Sequence, residues 1–205
     1  RRHDQRNYHP TVLYGKTTEF KHLTMLLPIY IYGHPILRKI SEDITPDYEG
    51  LPKLLEDMWQ TMYESDGVGL AAPQIGKNIR IFVIDGTPFE EYDPRCKDFK
   101  KTFINAHIIE RTGENVLQNE GCLSIPGIHE DVLRKDKIKI AYKDENWEDH
   151  VEEFEGMRAR IIQHEYDHLD GIVFTDHLSV LKKRLLKSKL NNISAGLFRQ
   201  YDPVV

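Results

Sequence analysis

The chain has 205 residues, 40% of them hydrophobic and 30% charged, a balance that suits a folded domain with a core and is too apolar for a disordered polymer. Its net charge of −5 offers no general attraction to polyanions and argues against dedicated nucleic-acid binding. Two cysteines, Cys96 and Cys122, are too few for a disulfide framework, and no apolar run approaches the roughly 20 residues a bilayer crossing needs; no membrane partner and a reducing, bacterial-like cytoplasmic setting are expected, with an organellar one as the alternative.

In chain order, residues 1–24 show neither periodicity nor a secretory pattern, and globular patterning starts at Met25-Leu26-Leu27-Pro28. We expect residues 1–24 to be a non-native or disordered extension, with Met25 the natural start, and residues 25–205 to form a single catalytic domain. From Leu51 to Ser65, Leu51, Leu54, Leu55, Met58 and Met62 recur at intervals of three and four, which predicts an amphipathic helix ended by Asp66-Gly67. Ile79 to Ile84, Thr102 to Ile109, Lys137 to Tyr142 and Val151 to Phe154 read as strands of an antiparallel meander. Between the first two, Asp85 to Lys101 is rich in charge and holds Pro88 and Pro94, so it reads as an exposed loop with Cys96 an unpaired surface thiol. A helix is expected from Met157 to Leu169, closed by Asp170-Gly171, and a basic one from Asp176 to Leu190 with Leu178, Leu181, Leu185 and Leu186 on its apolar side. Strands first and helices late predict an α+β fold: antiparallel strands around a central helix, followed by a C-terminal helix.

That central helix carries the chemistry. In His164-Glu165-Tyr166-Asp167-His168 the two histidines stand four apart, so both imidazoles lie on one helix face and can reach one ion. Glu165, beside the first, can reach an open coordination position and accept a proton from water there. Coordination lowers the pKa of such a water from about 15.7 to about 7. A catalytic site usually needs a third protein ligand. Downstream stand Asp170, Asp176 and His177 without a zinc-protease pattern; upstream, Glu120-Gly121-Cys122-Leu123-Ser124 offers a thiolate. Cys122 with the two imidazoles would suit zinc, ferrous iron or cobalt, although by itself it reads as well as a small buried hydrophobe. In Gly67-Val68-Gly69-Leu70-Ala71-Ala72-Pro73-Gln74 small residues let the backbone pass close to a ligand, and Gln74 could turn its carboxamide N–H into a cleft.

Taken together, these three segments resemble the signature motifs of the peptide deformylase family, in that family's order and at similar separations. Tyr32-Gly33-His34-Pro35-Ile36-Leu37-Arg38 resembles its opening segment, and the likeness extends to about Thr175. The departures are residues 1–24 and the Asp85 to Lys101 loop, which bear on the surroundings of the cleft rather than on its chemistry. The resemblance implies a metal-dependent hydrolase that removes formate from the N-formylmethionine of newly made polypeptides. It implies Fe2+ held by Cys122, His164 and His168, with Zn2+, Co2+ or Ni2+ as substitutes. Glu165 would be the acid and base, and Gln74 with the backbone N–H of Leu123 the oxyanion hole. Val68, Gly69, Ile125 and Ile161 are candidates for the pocket of the substrate methionine. A helix after the third motif can dock on the ribosome in this family, a role open to the basic run Lys182-Lys183-Arg184 with Lys187 and Lys189. Two other readings compete. A zinc peptidase shares the helix motif but leaves Cys122 and Gln74 without roles, and a structural metal module would close its ion with four protein ligands.

Overall fold

The computed structural model describes residues 25–198; the expectation for residues 1–24 lies outside them. Helix α1, Leu51–Glu64, begins after Gly50 with Pro52 in its first turn and ends where Gly67 N donates to Met62 O at 2.9 Å. The residues chosen for their periodicity, Leu51, Leu54, Leu55, Met58 and Met62, are all buried.

Five strands form one antiparallel sheet in sequence order: β1 (Gly69–Ala71), β2 (Ile81–Asp85), β3 (Lys100–Cys122), β4 (Ile125–Lys143) and β5 (Asp149–Glu155). The meander is therefore as expected, but two strands are far longer than propensity suggested. β3 takes in both Thr102–Ile109 and the polar, exposed stretch up to Glu120, and β4 reaches back to the turn at Leu123-Ser124. Cross-strand pairing, from Ile104↔Lys143 to Cys122↔Ile125 with four register shifts, carries the hairpin through residues that no hydrophobic alternation marks.

Helix α2, Gly156–Leu169, crosses this sheet. The pleat of β2 divides two cores: Phe82 and Ile84 join Phe103, Ile138, Ile140, Ala159 and Ile162 on the α2 side, whereas Ile81 and Val83 join Leu54, Met58, Met62 and Leu70 on the α1 side. A third cluster docks helix α3, Val180–Ser194, on β4 through Leu186, Leu190 and Ile193 against Ile125, Ile128 and Val132.

Three expectations need correction. The Asp85–Lys101 segment is exposed along much of its length, as expected, but it also folds into two short 3-10 turns, Thr87–Phe89 and Pro94–Cys96, and buries Asp93, Cys96 and Phe99. Cys96 is accordingly a free but fully buried thiol in the α2-side core, where burial pushes its pKa up to about 11. The last helix starts at Val180 rather than Asp176, because Ser179 Oγ accepts from Lys182 N at 3.2 Å and caps it, while Phe174–His177 forms a separate 3-10 turn. Its phase then leaves Leu181 and Leu185 67% and 70% exposed. Among the described residues no helix is long and apolar enough to cross a membrane.

Candidate active site

The segment that breaks the loop expectation also starts the functional helix. Glu155 at the N-cap of α2 makes no side-chain cap; instead Asp93 Oδ2, from the 85–101 segment, accepts from Met157 N at 2.9 Å, and Asp93 Oδ1 takes Arg95 N and Nε at 3.1 and 2.8 Å. Gly156, at φ +63°, lies so close that a Cβ there would sit 2.5 Å from Asp93 Oδ2.

Two turns further on, α2 presents His164 and His168 with ring centroids 5.5 Å apart. The turn between β3 and β4 brings Cys122 against them. Cys122 Sγ lies 3.4 Å from His168 Nε2, and one donor atom from each of the three residues falls within 4.8 Å of the others. Burial alone would raise the Cys122 thiol, but the two imidazoles beside it bring it down to about 5, so the thiolate is the favoured form.

His164 is oriented from behind. Its Nδ1 lies 2.9 Å from Glu120 Oε2, which leaves the lone pair of Nε2 on the side of Cys122, available to a metal ion. Glu120 is itself held by Arg134, whose Nε and Nη2 donate to Oε1 and Oε2 at 2.7 and 3.0 Å, and by Arg160, whose Nη1 donates to Oε1 at 2.8 Å. Burial works against the Glu120 charge, but the His164 imidazole and the Arg134 guanidinium outweigh it and hold the carboxyl far below its ordinary range. Arg134 Nη1 continues to Asp167 Oδ2 at 2.7 Å, and the same oxygen meets His177 Nε2 at 2.7 Å. None of these five residues was assigned a role from sequence. Asp167 lies inside the helix motif and Glu120 two residues before the thiol, but only the β3–β4 register, with Val116 opposite Arg134, brings the guanidinium to them.

Glu165 is 4% exposed, and burial raises its carboxyl to about 7 against the opposing pull of His164 and His168. Gly69 makes room for it: a Cβ on Gly69 would lie 2.7 Å from Glu165 Cδ. Gln74, in the 3-10 turn Ala72–Ile75, is fixed at both ends: Oε1 accepts from Ala71 N at 2.9 Å, and Nε2 donates to Ser124 Oγ at 3.1 Å and Cys122 Sγ at 3.6 Å. These groups open on a cavity of about 250 Å3 that Val68, Gly69, Leu123 and Ile161 also line. Ile125 does not reach it. It packs with Ile128, Val173 and Phe174 in the cluster that also holds Cys122, its partner across the β3–β4 turn.

The donor set suits a divalent ion. A buried thiolate and two imidazole nitrogens supply three ligands, and the remaining side faces Glu165, whose Oε2 is buried with no partner among the described residues. A closed structural site would place a fourth ligand where this cavity lies. A sheet wrapped on such a helix, with an ion-binding trio open to a cleft and an unneutralised buried carboxylate at its edge, defines a metal-dependent hydrolase.

Relatives narrow that class. Residues 26–184 match the polypeptide deformylase family. The chain is 56% identical over 179 residues to the peptide deformylase of Christiangramia forsetii, covering 84% of this chain and 91% of the relative. It is 51% identical over 185 residues to that of Flavobacterium johnsoniae, covering 86% and 94%. Among solved structures, the peptide deformylase from Thermus thermophilus superposes with a TM-score of 0.72 at 38% identity, over 84% of this chain and all of that one. A Plasmodium falciparum peptide deformylase in complex with an inhibitor gives 0.70 at 36%, over 80% and 97%. The chain belongs to the polypeptide deformylase family, and it is a hydrolase that removes the formyl group from N-formylmethionine at the start of new polypeptides.

Proposed function

We propose that Cys122, His164 and His168 hold a ferrous ion, that Glu165 is the acid and base of deformylation, and that Gln74 and the Leu123 N–H receive the developing oxyanion. The observation that carries this reading is the convergence of the three donors within 4.8 Å at the edge of the cavity that also holds Glu165. A soft thiolate with two borderline imidazoles suits Fe2+, and Zn2+, Co2+ or Ni2+ would substitute. When bound, the ion supplies Lewis acidity to the formyl carbonyl and to a water molecule.

The chain's own groups do the rest. Glu165, poised near pH 7, accepts the proton of the attacking water and hands it to the departing amine. The Gln74 carboxamide cannot swing away, because Ala71 N holds its oxygen, so its N–H stays aimed beside Cys122, where negative charge grows on the formyl oxygen. Glu120 keeps His164 in the tautomer that donates through Nε2. Val68, Gly69 and Ile161 wall the pocket for the methionine side chain, a role that Ile125, packed with Val173 and Phe174, does not share.

Loading the protein anaerobically with ferrous iron or cobalt and following formate release from a formyl-Met peptide, beside cleavage of internal peptide bonds, tests the reading: formate without internal cleavage is expected. Glu165→Gln should keep its metal and lose about 100- to 10,000-fold in turnover; undiminished turnover would remove Glu165 from that role. Unchanged metal content and activity in Cys122→Ser would remove the thiolate.

Residues 25–205 serve as one catalytic domain, and bacterial relatives support a cytoplasmic setting. The exposed basic run on α3 offers contact to ribosomal RNA, with Lys182 tied back to Glu130 at 2.6 Å. Co-sedimentation with ribosomes that weakens steeply with salt is expected, and its absence at low salt would exclude the contact.

A further inference from the structure

The cavity wall contains one polar group whose task the hydrolysis does not explain. Gln118 stands on β3 four residues before Cys122, and its Nε2 donates to the thioether Sδ of Met157 at 3.8 Å. Every other polar side chain whose donor borders this space is engaged by oxygen or by the thiolate. Arg160 Nη1 bonds Glu120 Oε1 and Val132 O, both at 2.8 Å, and its Nη2 bonds Val116 O at 2.7 Å. Asn119 Nδ2 reaches Asp131 Oδ1 at 3.0 Å, and Gln74 Nε2 reaches Ser124 Oγ. The remaining wall is apolar, with Val68, Phe89, Met157 and Ile161.

We propose that Gln118 is a specificity-determining residue that reads the sulfur of the substrate's methionine side chain, so that the enzyme prefers formyl-methionine to formyl-norleucine, which has a methylene in place of the sulfur. The proposal rests on the reading of this cavity as the pocket for that side chain. A carboxamide carries two N–H donors, and the Met157 thioether takes one. The second N–H of an amide at this wall donates to a thioether sulfur brought into the pocket, a weak but polarisable acceptor. A norleucine side chain fills the same volume, excludes water from the amide and returns no acceptor, so the donor is desolvated without compensation. A pocket of purely apolar residues treats the two side chains nearly alike, since they differ little in size or apolar area. Gln118 breaks that tie, and Met157 keeps its carboxamide turned toward the cavity end of the strand.

The experiment compares formyl-Met-Ala-Ala with formyl-norleucine-Ala-Ala on the metal-loaded enzyme. The wild-type protein should favour the methionine peptide in kcat/KM by about 2- to 10-fold, the range that one neutral hydrogen bond contributes. In Gln118→Leu, and in Gln118→Glu, which keeps the side-chain length but offers no amide N–H, the ratio should fall to about one. Calorimetric Kd values for the products Met-Ala-Ala and norleucine-Ala-Ala, measured without turnover, should lose their ratio in parallel. A role confined to packing would lower both peptides together and leave the ratio standing. A wild-type ratio of one, or a ratio that survives in both variants, overturns the proposal. Ile161→Trp separates this failure from that of the pocket reading: filling the cavity should raise KM for both peptides alike, and if KM is unmoved the pocket lies elsewhere and the proposal falls with it.

Discussion

Replacing Glu120 by glutamine removes one charge from a carboxylate held on three sides, by Arg134, Arg160 and His164. The Arg134 and Arg160 side chains are 4% and 7% exposed, and Asp167 is then the one carboxylate still bonded to Arg134. Removing one partner of a buried ion pair costs about 3–5 kcal/mol, because the other charge stays out of water unneutralised. At roughly 2–4 °C per kcal/mol for a domain of this size, Glu120→Gln should melt about 6–20 °C below the parent. The same change puts a neutral carboxamide in place of the charged acceptor behind His164 Nδ1, so metal affinity should drop about 10- to 100-fold. Thermal unfolding followed by circular dichroism, on metal-free protein to isolate the first effect, and competition with a chelator on loaded protein, to read the second, measure both. A metal-free Tm within about 2 °C of the parent, below the shift expected for even 1 kcal/mol, would refute the claim that this buried pair supports the helix motif.

Gly69→Ala forces the Glu165 carboxyl to move, since the added Cβ would lie 2.7 Å from its Cδ; displacement of that order should lower turnover about 100-fold with metal content unchanged, as metal analysis beside formate release would check. Asp93→Ala removes the cap of α2 and should destabilise by about 1–2 kcal/mol in urea unfolding near neutral pH. Burial opposes the Asp93 charge, but Arg95 and the Met157 N–H outweigh it and hold the carboxyl below its ordinary value. Its contribution is thus full above the unfolded value of about 3.9 and fades as pH falls through the folded one, so the gap between parent and variant should be widest at neutral pH and narrow in acid. Cys96, buried and with its thiol raised to about 11, should resist iodoacetamide at pH 8 in the folded protein and react on unfolding, as peptide mass mapping would read; prompt native labelling would contradict its place in the core.

Much of the candidate site was legible because its chemistry is local. The spacing of His164 and His168 on a helix needs no tertiary information, and α2 runs from Gly156 to Leu169, one residue longer than the expected Met157 to Leu169. Cys122 and Gln74 were legible only through the likeness of their segments to a family, since a lone thiol and a lone carboxamide carry no spacing of their own. Ile125 lies outside the cavity lining for a related reason: adjacency to a motif does not reveal which neighbours a side chain meets, and this one packs with Ile128, Val173 and Phe174.

The 85–101 segment was the largest misreading, because charge and proline describe its sequence but not its partners. Asp93 is buried because the open N–H groups of α2 need an acceptor, and Cys96 and Phe99 because the sheet leaves a core for them to fill. What the sequence by itself determined is the placing of His164 and His168 on one helix face, the carboxylate beside them and the α+β order of elements, set by spacing and periodicity within segments. Only the tertiary structure decided that Glu120, Arg134, Arg160 and Asp167 stand behind His164. Their contacts run between residues 14 to 44 positions apart, and a buried charge finds its partner through the register of β3 on β4, not through its neighbours in the chain.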